Sequence, residues 1–138
     1  MKYKIIAKYI KNLNFKIPNP KAFFLLSKNI SNYKIKIDIK SNQFKDKIIE
    51  VETSLGLNST KNDLEEITTK IVHSTIVEID KNLVNKKTLE EIILVEVPSE
   101  IYQEIRSSFI FLFEKSGFKD IKIDEKVDFR KLYNQRKI

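Results

Sequence analysis

The side chains that could do chemistry in this chain are few, and their spacing does not assemble a reactive site. His73 is the single histidine, set between Val72 and Ser74 in a β-rich run. A nucleophile–base pair would have to join it to a serine that no local pattern selects. A metal centre needs three or four convergent ligands. With no cysteine and one histidine, only a carboxylate site could be built. Glu50 and Glu52 alternate along an extended run and so share one face, the ordinary pattern of a solvated strand. Glu65-Glu66 and Glu90-Glu91 are neighbours that point apart. Gly56 and Gly117 are the only glycines, so no glycine-rich loop can cradle a phosphate. The chain is expected not to be an enzyme, and it implies neither a cofactor nor a metal.

The elements that would position any site change period half-way along. Tyr33, Ile35, Ile37 and Ile39 alternate with Lys34, Lys36, Asp38 and Lys40, which predicts a strand with one buried and one wet face. Lys4 to Phe15 carries a looser version, stopped by Pro18-Asn19-Pro20. Asp46 to Leu57 and Glu65 to Ile79 add two longer strand runs, parted by the turn cluster Asn58 to Asp63. The connection from Pro18 to Ser31 is long and holds Phe23, Phe24, Leu25 and Leu26 where a loop should be polar. These residues are either core beneath a helix or an adaptable apolar groove for extended polypeptide.

Helical spacing takes over afterwards. Thr88-Leu89-Glu90-Glu91 reads as a capping box, followed by the β-branched and ambiguous run Ile92 to Val97. Ser99 is expected to cap a long helix that Gly117 ends. In it Ile101, Ile105, Phe109, Leu112 and Phe113 form a stripe, and Ile110 and Phe111 add apolar surface beyond it. One small sheet needs an apolar arc of about 100°. The surplus predicts a second apolar neighbour, and self-association is the expectation. Phe118 to Ile123 is expected to be extended, and Val127 to Arg136 to form a short amphipathic helix with Phe129, Leu132 and Tyr133. The fold class is α+β: one domain over residues 1–138, a four-stranded antiparallel sheet followed by a long helix and a short terminal one.

Composition bounds the partners. The 138 residues suit one domain, and 41% hydrophobic content excludes a disordered chain. No apolar run approaches the ~18 residues that cross a bilayer, and lysines interrupt the start where a signal peptide would be apolar. A cytoplasmic location is expected. The net charge of +7 invites a nucleic-acid reading, but 23 of the 26 basic residues are lysine. Arginine is the side chain that forks onto phosphate and guanine. A basic α+β nucleic-acid-binding module is therefore the alternative rather than the first reading.

The stretch Tyr9-Ile10-Lys11-Asn12-Leu13-Asn14-Phe15-Lys16-Ile17-Pro18 resembles the opening strand of the protein-export chaperone SecB family. That family carries a Tyr-x-Lys-Asp-(Ile/Leu)-Ser-Phe-Glu-x-Pro pattern there. Gly117-Phe118, Ile121-Lys122-Ile123 and Val127-Asp128-Phe129-Arg130-Lys131-Leu132-Tyr133 are similar to its ending, and Pro98 and Arg106 fall where its helix has Cys-Pro and Ala-Arg. The resemblance implies a holdase without ATPase activity, which keeps unfolded precursor proteins export-competent and passes them to the motor SecA. It implies a homotetramer built as a dimer of dimers, with Ile101, Ile105, Phe109, Ile110 and Phe111 of the long helix at the contact. It places a client groove at Phe23, Phe24, Leu25 and Leu26 in the crossover loop, with Phe129, Leu132 and Tyr133 on the last helix. Family members dock the basic tail of SecA through acidic side chains on the outer sheet face. This sequence has Asn12, Lys16 and Lys70 at those positions, which removes attraction and adds repulsion. A SecB-like chaperone of an antitoxin, rather than of exported proteins, is the alternative within the resemblance.

Overall fold

In the computed structural model, residues 2–29, 33–59, 68–119 and 121–136 are described. Four strands form one antiparallel sheet: β1 (Tyr3–Lys16), β2 (Tyr33–Lys45), β3 (Ile48–Ser59) and β4 (Thr68–Ile79), in the order β1-β4-β3-β2. The looser alternation of β1 has a physical cause. Two β-bulges, at Ile6 and Lys11, each insert one residue opposite β4 and reset which side chains face inward. A third bulge leaves Phe44 unpaired before the tight Asp46-Lys47 turn, where Lys47 takes a left-handed φ of 61°. The cluster Thr60 to Asp63 and the pair Glu65-Glu66 lie outside the described residues.

The Pro18–Ser31 connection is not a loop: Pro20–Asn29 is a helix, α1. Asn19 Oδ1 accepts from the Ala22 amide at 2.8 Å, and Pro20 supplies a φ already suited to the first turn. A second helical run begins at α2 (Lys86–Glu91). Its cap is Asn85, which accepts from the amides of Lys87 and Thr88, so the expected capping box at Thr88 is not used. The run widens into a π-helical turn at Ile92–Glu96 and continues as α3 (Val97–Lys115). Pro98 explains the widening, because it has no amide to return to the preceding turn. Ser99 does not cap; its hydroxyl donates back to the Val95 carbonyl at 2.6 Å. Gly117, at φ 96°, ends α3: the Phe118 amide donates to the Phe113 carbonyl at 3.0 Å, and the two rings pack. Asp128 caps α4 (Phe129–Arg136) through the Lys131 amide.

Helix α3 lies across the inner face of the sheet. Ile101, Ile105, Phe109 and Phe113 meet Leu55 and Ile71 in the main core, with Leu26, Phe118 and Ile123. A second cluster joins Val51, Val77 and Ile79 to Ile92 and Val97. A third joins Val95, Tyr102, Phe129 and Tyr133, and it touches Ile37 and Ile39 of β2. Each fully buried side chain of this size contributes about 1.5–3 kcal/mol over its exposed state.

Candidate functional site

A partly apolar surface that remains open runs beside the free edge of β2. Among the described residues β2 pairs only with β3, so its outer row of backbone N–H and C=O groups has no strand partner. Two adjoining hollows of about 640 and 360 Å³ lie along it and share Ile39, Leu94 and Tyr133. One wall is β2 from Ile37 to Asn42; the other is Glu90, Ile93 and Leu94, with Phe129 and Leu132 of α4 at one end. The wall is held firmly. Tyr133 donates to Glu90 at 3.3 Å and Arg130 to Glu91 at 2.7 Å, which ties α4 to α2. Arg106 donates twice to the Ile123 carbonyl, at 3.1 and 3.0 Å, and Tyr102 donates to that of Asp124 at 2.6 Å. These bonds fix the extended segment that delivers α4. The result is an apolar trough beside a row of unsatisfied main-chain groups, which suits an extended polypeptide.

The expected groove residues divide. Leu132 is 47% exposed and lines the trough; Phe129 and Tyr133 also line it but are anchored in the third core cluster. Leu26 is fully buried beneath α3, so it is core and cannot meet a ligand. Phe23 and Leu25 are half-buried, and Phe23 stacks on Phe118 with ring centres 4.7 Å apart. Phe24 alone of this group stands clear, at 68% exposure. Thus α1 packs on the core through Leu26 and Phe23 and leaves Phe24 exposed. The interface stripe needs a similar correction. Ile101, Ile105 and Phe109 are buried against their own sheet, and Ile110 packs on the same core. Only Phe111, 56% exposed, points away from it. Three clusters within the chain take up most of the wide apolar arc, and Phe111 is left outside them. Ile37, Ile39, Ile93 and Leu94 were missed as lining; the Ile alternation of β2 marked the first two, but which strand lies at an edge depends on sheet order.

A profile of the family described as preprotein translocase subunit SecB matches residues 1–138. The putative protein-export protein SecB of Pelagibacter ubique is 37% identical over 134 residues, covering 97% of this chain and 96% of that one. The chain belongs to the SecB family. The protein-export protein SecB of Parvibaculum lavamentivorans is 23% identical over 96% of this chain and 77% of its own length. Among solved structures, the SecB-like chaperone of Mycobacterium tuberculosis, in complex with a ChAD peptide from an antitoxin, shares the fold. Its TM-score is 0.58 at 9% identity, over 89% of this chain and 91% of that one. The protein is accordingly a SecB-type chaperone, and the sheet, long helix and short terminal helix are those of SecB-like proteins.

The remaining polar groups of this SecB-family chain are structural in their surroundings. His73 sits on the inner face of β4 beneath α3, buried beside Thr53 and Thr75. Among the described residues its Nδ1 and both threonine hydroxyls have no hydrogen-bond partner. Burial pulls the imidazole pKa below its ordinary value; Glu104, 3.8 Å away, opposes this and Lys8 assists it. On the outer sheet face Glu50 accepts from Ser74 at 2.7 Å, Lys11 at 3.0 Å and Asn42 at 3.2 Å. The Ser74 hydroxyl above all holds the Glu50 carboxyl below the usual carboxylate range. Glu52 accepts from Asn42 at 2.8 Å and lies 3.4 Å from Lys11. Asn12, Lys16 and Lys70 share this outer face, with Lys70 opposite Asn14 in register. No helix among the described residues is long and apolar enough to cross a membrane.

Proposed function

We propose that this chaperone is an ATP-independent holdase that lays unfolded precursor polypeptide along the free edge of β2. The trough beside that edge carries the reading, because it offers main-chain pairing and apolar contact together. Backbone bonds give affinity for any extended sequence, and the Ile39–Leu94–Leu132 surface favours apolar side chains on alternate residues. Such segments are exposed in unfolded chains and would otherwise aggregate. Holding the unfolded form shifts its folding equilibrium by mass action, without a chemical step.

The assembly is a homotetramer, a dimer of dimers. Support for it lies at the opposite edge, where β1, among the described residues, also lacks a partner strand on one side and exposes Ile6, Ile10 and Leu13. An apolar, unpaired edge of this length invites pairing with a second copy. Phe111 supplies a further exposed contact on α3. Several grooves on one particle then sum weak contacts through effective concentration. Delivery to SecA is the final step of this reading. The alternative cargo is an antitoxin.

The test is suppression of aggregation of a chemically unfolded precursor, without nucleotide, by wild type and by Leu132→Glu. Wild-type suppression that the variant loses supports the groove. Equal suppression by both removes the groove at β2, and none by wild type removes the holdase reading.

A further inference from the structure

At one end of the sheet, where β2 turns into β3 and β4 leaves for α2, apolar side chains are held out in water. Phe44 is unpaired at the bulge in β2 and is 65% exposed. Val84, in the connection from β4 to α2, is 91% exposed. Its neighbours account for that position. Leu83 packs on the second core cluster and Asn85 caps α2, so the valine between them is left outside. The two loops are braced. The Lys47 ammonium donates to the Leu83 carbonyl at 3.2 Å, and the Ile79 amide donates to the Lys47 carbonyl at 2.7 Å. A hollow of about 360 Å³ joins them, with Ile49, Ile79, Leu83 and Leu89 in its lining. One exposed apolar side chain is ordinary, but packing gives no reason for two on braced loops at one tip.

The same tip is basic. Phe44-Lys45-Asp46-Lys47 and Lys81-Asn82-Leu83-Val84-Asn85-Lys86-Lys87 carry five lysines against one aspartate, with Asp80 adjoining. Lys4 and Glu78 stand opposite each other in register beside it and balance in charge. Lys45, Lys81, Lys86 and Lys87 are exposed, and among the described residues none of them is in an ion pair. The Lys45 ammonium lies 5.3 Å from the centre of the Phe44 ring.

We propose that this tip docks the protein on an anionic lipid surface. Phe44 and Val84 enter the boundary between headgroups and acyl chains, while the lysines keep their ammonium groups at the phosphates. Two small apolar side chains bind a bilayer weakly, and so do a few lysines. Together they add, which makes the attachment selective for anionic lipid. It is peripheral and needs no spanning helix. A protein partner would need a socket matched to both tips, whereas a lipid layer accepts projecting side chains of any shape. Nucleic acid is also the poorer occupant: the tip has no arginine, and Lys45 already lies over the Phe44 ring where a base would stack. The tip lies beyond trough residues 37–42 of β2, and Phe111 is towards the other end of α3. Docking therefore leaves both open and stands apart from the holdase reading.

The test is flotation of the full chain with vesicles of phosphatidylglycerol in phosphatidylcholine, against phosphatidylcholine alone. Wild type is expected to float with the anionic vesicles only, and less so as salt rises. Phe44→Ser with Val84→Ser, and separately Lys45→Glu with Lys86→Glu, should each weaken partitioning about tenfold or more. Lys119→Glu with Lys122→Glu changes the net charge equally, beside the main core cluster rather than the second. At moderate salt it should leave partitioning within about twofold. The chain has no tryptophan, so Phe44→Trp gives a local signal. Its emission should shift to the blue on anionic vesicles and stay unchanged on neutral ones. Wild type that does not float, an equal loss from the remote lysine pair, or an unshifted emission would each overturn the proposal. So would a larger blue shift with a short oligothymidylate than with the vesicles. Capture of a chemically unfolded client by the Phe44→Ser, Val84→Ser variant is measured alongside. Retained capture with lost flotation supports lipid docking; lost capture with flotation intact would assign the tip to clients and overturn it.

Discussion

The two edges of the sheet face the same physical problem and present different answers to it. Each is a strand with one unpaired row of main-chain groups, the feature that invites another chain. At β1 the edge is twisted by two bulges and exposes Ile10 and Leu13, and α3 reaches it through the polar pairs Tyr3–Glu100 and Lys8–Glu104. At β2 the edge runs along a wall made of the π-helical turn and α4. An open apolar edge suits a rigid, self-complementary surface. A walled trough suits a flexible chain that must be gripped from the side. The comparison teaches that the pairing row is common to both edges, and that the neighbouring helices decide what each accepts.

The largest effect should come from the helix that lies between the edges. Phe109→Ala should cost about 3–5 kcal/mol of unfolding free energy, because it empties the main core beneath α3. Denaturant unfolding measures it, and a loss near zero would return Phe109 to the protein surface. Next comes the β1 edge. Ile10→Lys with Leu13→Lys, and separately Phe111→Glu, should lower the particle mass in light scattering while the helical circular dichroism stays unchanged. An unchanged mass for the edge variant would erase the distinction drawn between β1 and β2.

At the trough, Leu132→Glu should weaken capture of an unfolded client by roughly tenfold, since it puts a charge where an apolar side chain would be buried. Phe24→Ala should have a smaller effect, because Phe24 stands on α1, away from the residues that line the trough. The smallest effect concerns pH. The unfolded imidazole titrates near 6.5, and burial depresses the folded value below that. Stability is therefore full above 6.5 and declines as pH falls through 6.5 towards the folded value, where the folded chain resists the proton that the unfolded one accepts. His73→Gln should flatten that decline in melting temperature between neutral and mildly acid pH; an unaltered slope would assign the decline to other groups.

Much of this fold is legible in the sequence because period carries it. The Ile101–Ile105–Phe109 stripe buries the face it advertises, and the Ile35–Ile37–Ile39 alternation half-buries its own. What misleads is punctuation. Pro18-Asn19-Pro20 breaks a strand and also starts α1, since an Asn cap with a following proline is a helix start. Pro98 looks like a restart, yet the helical run passes through it by widening one turn. The site was less legible than the fold. Leu132, Phe129 and Tyr133 could be named from the family resemblance, but Ile39 and Leu94 become a wall only once β2 is known to be an edge. Likewise Leu26 and Phe109 look available in sequence, and only the packing of three clusters in one chain shows them to be filled.

The most direct test is amide hydrogen exchange with and without a chemically unfolded precursor. Its subject is the unpaired edge amides of residues 37–42. The account predicts new protection along β2 and across Ile93 and Leu94 when the precursor is bound, with the exchange of β1 unaltered by it. Protection that appears along β1 or α1 instead, with β2 unchanged, would contradict it.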